Sequence, residues 1–510
     1  MPDLRRSLCI VFAVIAVMLS GCGRSKPPAN TVVMLIENSP NSLDPRVGTD
    51  AVAERVDALI FDSLVQRNNH FGLDPDLALS WQTPNPLTYV FHLRSGVYFQ
   101  DGRPLTSRDV KWTLDSVLNG TIISIKAGAY KNIAGIDAPD PATVIIHLSQ
   151  PDPGLLWNLC SDAIGIVPYG SGRDFWQHPI GSGPYRLVSQ AVDRNVILVR
   201  SQNYWGAKPH IARIRFNVVP DATTRALELE KGSADVAVNA LSPDMVEALR
   251  HRSNLVVEDG PGSEIEFLVF NLRAPYLKDL RVRRAIAMAI NRPLIIHSLM
   301  RNLAHPANSL LPAHHWAWTN DVQQYTYDPA AANALLDHAG YKRGAGGIRF
   351  HIGLKTSTDE TTRLLSVALQ QQLARIGIAL DLRSYEFATF YSDLTRGAFQ
   401  MAPSRWIGGN EQPDIFRYAF SASSFPPDGG NRGFYNNPQL DALIQDASNT
   451  LDQARQRADY AKVQQILARD LPTINLWYMD TVIVHTRRLK GVHTSPSGNF
   501  NFLRTAYLAP

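Results

Sequence analysis

A short apolar run near the start of the sequence constrains where, and therefore how, this chain folds. Residues 8–19 are apolar, follow Arg5 and Arg6, and lead through small residues to Cys22. A basic start, a short apolar segment and small residues before a cleavage site are typical of a secretory signal peptide, and the run is too short to span a bilayer. The sequence therefore predicts folding outside the cytoplasm.

The cysteine content predicts that no internal disulfide bond stabilises the fold. Of the three cysteines, Cys9 lies in the signal and Cys22 at its end, so Cys160 stands alone and no internal disulfide can form. Cys160 follows Trp157 and several leucines, and we expect a small buried hydrophobic side chain rather than a reactive thiol. An apolar core must hold the chain, and a chain of 510 residues normally divides into more than one domain.

The segment before the folded body carries a second signal. Residues 19–22, Leu-Ser-Gly-Cys, resemble the bacterial lipobox, which implies that residues 1–21 are a lipoprotein signal peptide and that Cys22 is lipidated. Residues 22–30 are polar, contain two prolines and indicate a short stalk. No second apolar stretch of membrane-spanning length follows, so the lipid anchor is the expected contact with the membrane.

Charge and motif content exclude several classes of protein. The 50 basic and 46 acidic residues nearly balance without a dense basic run, which argues against a nucleic-acid partner. The 14 histidines are scattered, and we predict no metal site. The competing class, an extracytoplasmic hydrolase, would need a Gly-x-Ser-x-Gly elbow or a His-Glu-x-x-His motif, and neither occurs. We therefore predict no catalytic residues and no cofactor.

Hydrophobic periodicity predicts a mixed α/β body. The β-branched segment 31–36 indicates a strand, and apolar residues recur at helical spacing over 51–64. Thr106 and Asp109 form a capping box for a helix that runs to Leu118. Further strands are predicted at 87–93, 143–148 and 196–200, and further helices at 280–290, 329–339, 361–376, 439–447 and 453–470. We interpret residues 406–437 as a glycine-rich, aromatic loop region where binding groups would sit.

Several sequence segments resemble, in the same order, segments of the extracytoplasmic solute-binding proteins of the oligopeptide, dipeptide and nickel type, family 5. Those proteins serve ABC importers. Residues 41–45 are similar to the opening Asn-x-Leu-Asp-Pro segment of that family, and residues 91–110 follow its long signature almost without a gap. Residues 179–185, Pro-Ile-Gly-Ser-Gly-Pro-Tyr, and residues 203–206, Asn-Tyr-Trp-Gly, match the next signature. The resemblance covers essentially the whole mature chain.

The resemblance implies a fold class: α/β, two-lobed and periplasmic-binding-protein-like (type II, cluster C), with an extra small domain inserted in the first lobe. Carried onto this chain, the first lobe takes 31–75, 180–262 and 485–510, the small domain takes 76–179, and the second lobe takes 263–484. A two-stranded hinge is expected between the lobes.

The implied function is that of a substrate-binding lipoprotein of an ABC importer, which closes two lobes on peptides or peptide-like solutes and delivers them to a membrane permease. The expected partners are the solute and the permease and ATPase subunits, and the expected state is a monomer anchored at the extracytoplasmic face of the cell envelope. A non-peptide ligand, such as a metal chelate, an opine or a sugar, stays open, as does a sensor or chaperone role without transport.

Candidate ligand contacts also come from the resemblance. In the peptide-binding branch an Asp three residues after a Trp pairs with the amino terminus of the peptide, but here Trp406 is followed by Gly409. A buried ammonium without a carboxylate is costly, so either Glu411 or Asp414 replaces that Asp or the ligand has no free amine there. The other ligand contacts that the resemblance implies are Thr49, Asp50, Ala51 and Asn239, with Trp406 as an apolar wall and either Trp477 or Tyr478 near the hinge.

Overall fold

The computed structural model describes residues 30–160, 163–408, 411–426 and 429–509. The predicted signal peptide, the lipidation site Cys22, nearly all of the stalk and Gly409 lie outside the described residues. Within these ranges no helix combines the length and the apolarity that crossing a membrane requires.

Nineteen strands are present in the described residues. They are β1 (Thr31–Ile36), β2 (Val65–Arg67), β3 (Leu73–Pro75), β4 (Ala78–Asn85), β5 (Thr88–Leu93), β6 (Ile133–Asp140), β7 (Thr143–Leu148), β8 (Tyr185–Ala191), β9 (Asn195–Arg200), β10 (Arg213–Val218), β11 (Val236–Val238), β12 (Leu255–Phe270), β13 (Ala304–Pro306), β14 (Phe350–Ser357), β15 (Ile378–Tyr385), β16 (Met401–Trp406), β17 (Thr473–Thr486), β18 (Leu489–Lys490) and β19 (Tyr507–Leu508).

Thirteen α-helices occur in the same ranges, besides short 3₁₀ turns. They are α1 (Ala51–Ile60), α2 (Ser107–Leu118), α3 (Leu155–Asn158), α4 (Ala222–Glu230), α5 (Pro243–Arg250), α6 (Leu280–Ala289), α7 (Arg292–Leu299), α8 (Pro329–His338), α9 (Glu360–Ala374), α10 (Phe387–Thr395), α11 (Ile415–Phe420), α12 (Pro438–Ser448) and α13 (Gln453–Asp470).

One large sheet organises the chain, with the strand order β15-β14-β16-β12-β17-β11-β1-β10-β9-β8 and β13 paired to β17. β1 is apolar after Thr31 and buried at all six positions because it lies between two parallel neighbours, β10 and β11. We call the half of this sheet from β11 to β8, with its helices, the first lobe. The half that contains β16, β14, β15 and β13 is the second lobe.

Two long antiparallel strands, β12 and β17, join the lobes, and we call them the hinge strands. Residues 255–261 of β12 pair with the end of β17 that adjoins β11, whereas residues 265–269 pair with its other end. The register shifts between Pro261 and Ile265, where the strands pass from one lobe to the other. A two-stranded connection between two lobes, as the resemblance implied, is therefore present.

Separate apolar clusters fill the two lobes, with the buried residues of the first lobe centred on β1 and β11 and those of the second on β12, β14 and β16. A further cluster belongs to a four-stranded antiparallel sheet, β4-β5-β7-β6, which α2 covers. Cys160 is fully buried in this last cluster, as predicted. The domain limits that the resemblance implied stay a prediction.

Local signals placed several elements correctly. Thr106 and Asp109 form the expected reciprocal capping box of α2, which ends at Leu118 with Asn119 as its C-cap. α8 begins with Pro329 behind the cap Asp328, and Gly340 follows it with a φ of 87°. The predicted helix 453–470 and the strands 31–36 and 143–148 have the bounds that periodicity gave them.

Two predictions were wrong. The helix predicted over 51–64 ends at Ile60, because the Ile60 carbonyl accepts hydrogen bonds from the Gly183 amide at 2.9 Å and from Gln100 Nε2 at 3.0 Å. Gly183 can approach because it lacks a side chain; a Cβ there would lie 2.7 Å from that carbonyl oxygen. The region 406–437, expected to be irregular, contains the short helix α11.

Candidate functional site

A cleft of about 420 Å³ opens beside the point where the hinge strands pass between the lobes. Hinge residues Gly262, Ser263 and 479–482 form its base. The first lobe contributes the start of α1 and the segment around α5. The second lobe contributes Glu264 and Glu266 of β12, the end of β16 and the start of α9. A solute in this cleft would therefore contact both lobes and the hinge at once.

At the start of α1 the predicted contacts separate into structural and cleft-lining groups. Asp50 caps the helix, accepting hydrogen bonds from the amides of Val52 and Ala53 at 3.0 Å and from the Asn41 amide at 2.7 Å. The Thr49 hydroxyl accepts a hydrogen bond from the Asn41 side chain at 3.2 Å. Only Ala51 of the predicted trio lines the cleft.

Asn239 lies in the cleft wall and joins the first lobe to a hinge strand. Its Oδ1 accepts a hydrogen bond from the Val482 amide at 2.8 Å, and its own amide donates to the Val482 carbonyl at 2.9 Å. This two-way contact holds Asn239 at a positive φ of 50°, a conformation that asparagine tolerates better than most residues. The predicted position at the cleft is compatible with ligand contact.

Glu411 also lines the cleft, but it is already paired. Its side chain is 2% exposed, accepts a hydrogen bond from Ser263 Oγ at 2.6 Å and forms an ion pair with Arg67 at 2.9 Å. Glu411 is therefore a buried, paired carboxylate rather than a solvated loop residue. An incoming ammonium would have to compete with the Arg67 guanidinium for this carboxylate.

Three other predicted contacts lie away from this cleft. Trp406 stacks on Phe267 and lines a small separate cavity in the second lobe. The Tyr478 hydroxyl donates to the carbonyls of Ser309 and Leu311, both at 2.6 Å, within the second-lobe core. Asp414 pairs with an arginine of its own helix turn and lines a different cavity. Their ligand contacts stay predictions.

An acidic group on the second-lobe wall was missed by the sequence reasoning. Glu264 and Glu266 lie on β12 just after it crosses into the second lobe, and Asp359 caps α9 beside them. Between the two glutamates lies Arg405, 3.3 Å from Glu264 and 3.9 Å from Glu266. The available signal was a glutamate between Ile265 and Phe267 in the otherwise apolar segment 265–270.

Glu266 is the unusual member of this acidic group. Its side chain is 9% exposed, and burial raises its pKa to about 8, against the partly opposing charge of Arg405. The neighbouring charges of Glu264 and Asp359 raise the pKa further. A cation placed beside Glu266 would favour its ionised form, since an opposite charge offsets the cost of desolvation.

The hinge supplies another buried carboxylate. Asp480 is 3% exposed at its side chain, and its Oδ1 lies 3.1 Å from His305 Nε2. Burial raises the pKa of Asp480 to about 6, although the positive charge of His305 lowers it. Both residues adjoin the crossing of the hinge strands, where β13 pairs with β17.

Acidic side chains outnumber basic ones among the described residues of the cleft. The seven carboxylates are Glu37, Glu54, Glu264, Glu266, Asp359, Glu411 and Asp480, and the four cations are Arg55, Arg67, Arg225 and Arg405. Arg225 is not presented to a ligand, because it donates to the carbonyls of Ala240, Val219 and Pro220. The balance favours a ligand that carries a positive group.

Among the described residues, no group of three or more His, Cys, Asp or Glu side chains is arranged to hold a metal ion. In the cleft, the Ser263 hydroxyl donates to Glu411 at 2.6 Å, and that carboxylate is also held in an ion pair with Arg67. The chemistry of the cleft is that of a polar, two-sided binding site rather than a site for covalent catalysis.

Comparison with known proteins finds relatives that are named as binding proteins. The chain is 25% identical over 503 residues to a dipeptide-binding protein of Escherichia coli strain K12, covering 93% of this chain and 94% of that protein. It is 28% identical over 494 residues to the glutathione-binding protein GsiB of Salmonella typhi, with 93% and 94% covered. These relatives are binding proteins, and this chain is likewise a binding protein and not an enzyme.

Solved structures extend the comparison to the fold. The Helicobacter pylori periplasmic binding protein DppA, solved with the peptide STSA, superposes with a TM-score of 0.76 at 27% identity, covering 94% of this chain and 98% of that one. CtaP of Listeria monocytogenes, an ABC transporter substrate-binding protein, gives a TM-score of 0.85 at 23% identity, covering 94% and 99%, and so supports the fold alone. The sequence model of bacterial extracellular solute-binding proteins, family 5 (middle), matches residues 72–426, and the chain belongs to this family.

Proposed function

We propose that the protein captures peptides or peptide-like solutes between its lobes and delivers them unchanged to the permease of an ABC importer. The observation that carries this proposal is the cleft at the hinge, lined by both lobes and rich in carboxylates. A ligand that contacts both lobes binds the closed form better than the open form, and that difference in affinity is what shifts the population towards closure. The permease would then recognise the closed form.

The acidic wall of the cleft defines the part of the ligand that it would hold. We infer that the amino group of the solute lies against Glu264, Glu266 and Asp359 rather than against Glu411, which Arg67 and Ser263 already engage. Closure would exclude water, and a charge-assisted hydrogen bond is stronger in such a site than in solvent.

Calorimetry with matched pairs of dipeptides tests the ligand class. Each dipeptide is compared with its N-acetylated form, which has the same length but no ammonium group. We expect the free amine to bind at least about tenfold more tightly, which corresponds to about 1.4 kcal/mol. Retention of a metal chelate or a sugar by the purified protein in native mass spectrometry, with no dipeptide bound, would contradict the peptide assignment.

The membrane attachment is a separate part of the proposal. Labelling cells with a clickable fatty acid should modify the wild-type chain and leave Cys22→Ser unlabelled. A labelled Cys22→Ser chain, or an unlabelled wild type, would refute the lipid anchor without affecting the ligand assignment.

A further inference from the structure

A second cavity lies next to the hinge-side cleft. Its volume is about 450 Å³, similar to the 420 Å³ of the cleft. Residues 128–158, which adjoin the four-stranded sheet, form one side, and second-lobe residues between 412 and 460 form much of the other. The side chains that line it are mainly polar, with Lys131, Asp152 and Arg417 among them.

The wall between the two cavities is thin. Arg67 and Glu411 line the cleft, whereas residues 412–414, which follow directly, line the second cavity. The Arg67 guanidinium lies 5.8 Å from the centre of the Trp157 ring, and Trp157 also lines the second cavity. We call the three side chains Arg67, Glu411 and Trp157 the partition.

The partition joins different parts of the fold. Arg67 ends β2, the first strand of the β2–β3 hairpin, while Glu411 belongs to the second lobe and is fixed by Ser263 on a hinge strand. Phe71, at the turn of the same hairpin, packs against the second-lobe residue His315 with 5.6 Å between ring centres. The hairpin is therefore braced against the second lobe at two places.

We propose that the partition sets the upper length of the ligand. With the Arg67–Glu411 pair closed, the solute is confined to the hinge-side cleft, whose volume is near the lower end of the ~300–1,000 Å³ range of small-molecule sites. Removal of the pair connects the cleft to the second cavity, and an extended chain can then run from one into the other. This inference rests on the proposed peptide function.

A length series of peptides tests the inference. Oligo-alanines of two to six residues with free termini are titrated into the wild type and into Arg67→Ala/Glu411→Gln, which removes both charges and leaves no buried ion unpaired. The wild type should bind the two- and three-residue peptides and lose at least tenfold in affinity at five residues. In the double variant the affinity for the five-residue peptide, measured relative to the affinity of the same protein for the dipeptide, should rise at least tenfold over the wild-type ratio.

A filler in the second cavity supplies the matched control. Gly128 lines that cavity, and a Cβ there would meet no atom within 4 Å, so Gly128→Phe can be accommodated. Added to the double variant, it should abolish the gain for the five-residue peptide; alone, it should leave dipeptide binding unchanged. Thermal unfolding and circular dichroism establish that every variant is folded.

The outcomes separate the two proposals. Short peptides that bind with the same length profile in the wild type and the folded double variant would refute the partition alone. A gain for long peptides that survives Gly128→Phe would also refute it. Failure of every peptide to bind any of the proteins would refute the peptide function and, with it, this inference.

Discussion

Two arginine–carboxylate clusters in this protein use the same residue types in opposite ways. In the first lobe, Arg46 is fully buried and pairs with Asp44 through Nε at 2.9 Å and Nη2 at 2.7 Å. Its remaining donors reach the carbonyls of Ser171 and Gly172, so the cluster is satisfied internally. In the cleft, Arg405 approaches Glu266 only to 3.9 Å.

The difference separates a structural cluster from a binding one. Buried ions that are fully hydrogen-bonded to one another have nothing left to offer a ligand, and removing one member leaves its partner desolvated and unpaired. The cleft cluster has more carboxylates than arginines and a glutamate whose pKa burial has raised. It therefore remains able to gain from an added cation.

The largest expected loss of stability is in the satisfied cluster. Asp44→Ala leaves the buried Arg46 guanidinium without its carboxylate, and we expect the free energy of unfolding to fall by about 3–5 kcal/mol. Urea denaturation followed by circular dichroism measures the loss. A loss of less than about 1 kcal/mol in the free energy of unfolding would show that Arg46 does not depend on Asp44. It would also remove the difference between this buried cluster and the cluster in the cleft.

Replacement of Glu266, the carboxyl whose pKa burial raises, should change stability in the opposite direction. Because the folded state holds the Glu266 proton more tightly than the unfolded state, the stability of the wild type falls as pH rises from about 4.5 to about 8. Glu266→Gln cannot ionise, so above pH 8 it should be more stable than the wild type by up to about 5 kcal/mol, at about 1.4 kcal/mol per unit of pKa, and near pH 4 the two should be equal. Thermal unfolding across this pH range measures the difference.

Proton release on ligand binding should also distinguish the cleft cluster from the buried Arg46–Asp44 cluster. At about pH 6.5 Glu266 is mostly protonated, and a cationic ligand that pairs with it must displace the proton, an effect worth about 1.4 kcal/mol per unit of pKa shift. Calorimetry of a free-amine dipeptide in buffers of different ionisation enthalpy should detect this release in the wild type. The signal should vanish in Glu266→Gln, and its persistence there would assign the proton to another group.

Removal of an exposed ion pair should give the smallest change in the free energy of unfolding. Arg103 and Asp101 lie 2.7 Å apart, but the Arg103 side chain is 53% exposed. Arg103→Ala should change the free energy of unfolding by less than about 1 kcal/mol, since water screens such a pair. A loss comparable to that of Asp44→Ala would mean that burial is not what distinguishes the two clusters.

Features encoded within a few residues of one another could be predicted from the sequence. The capping box of α2, the proline at the start of α8 and the lone buried Cys160 depend on neighbours along the chain or on local composition. The predicted end of the first helix failed, because it depends on Gly183, more than a hundred residues away.

The candidate site depends mostly on distant contacts, and this explains what the sequence could not provide. Glu411 was selected for its position near Trp406, but its partner Arg67 is 344 residues away. Glu266 could have been noticed as a charge in the apolar segment 265–270, yet only the fold places it beside Asp359 and Arg405 at the cleft.

The position of β17 determines when, during synthesis of the chain, the large sheet can be completed. β11 is bordered by β1 on one side and by residues 483–485 of β17 on the other. The sheet that begins at residue 31 therefore cannot be completed until nearly all 510 residues have left the ribosome. Pairing across so long a stretch of chain is slow, because the conformational entropy of closing a long loop is lost before any stabilising contact forms. We therefore expect the first lobe to complete its folding after synthesis of the chain rather than along with it.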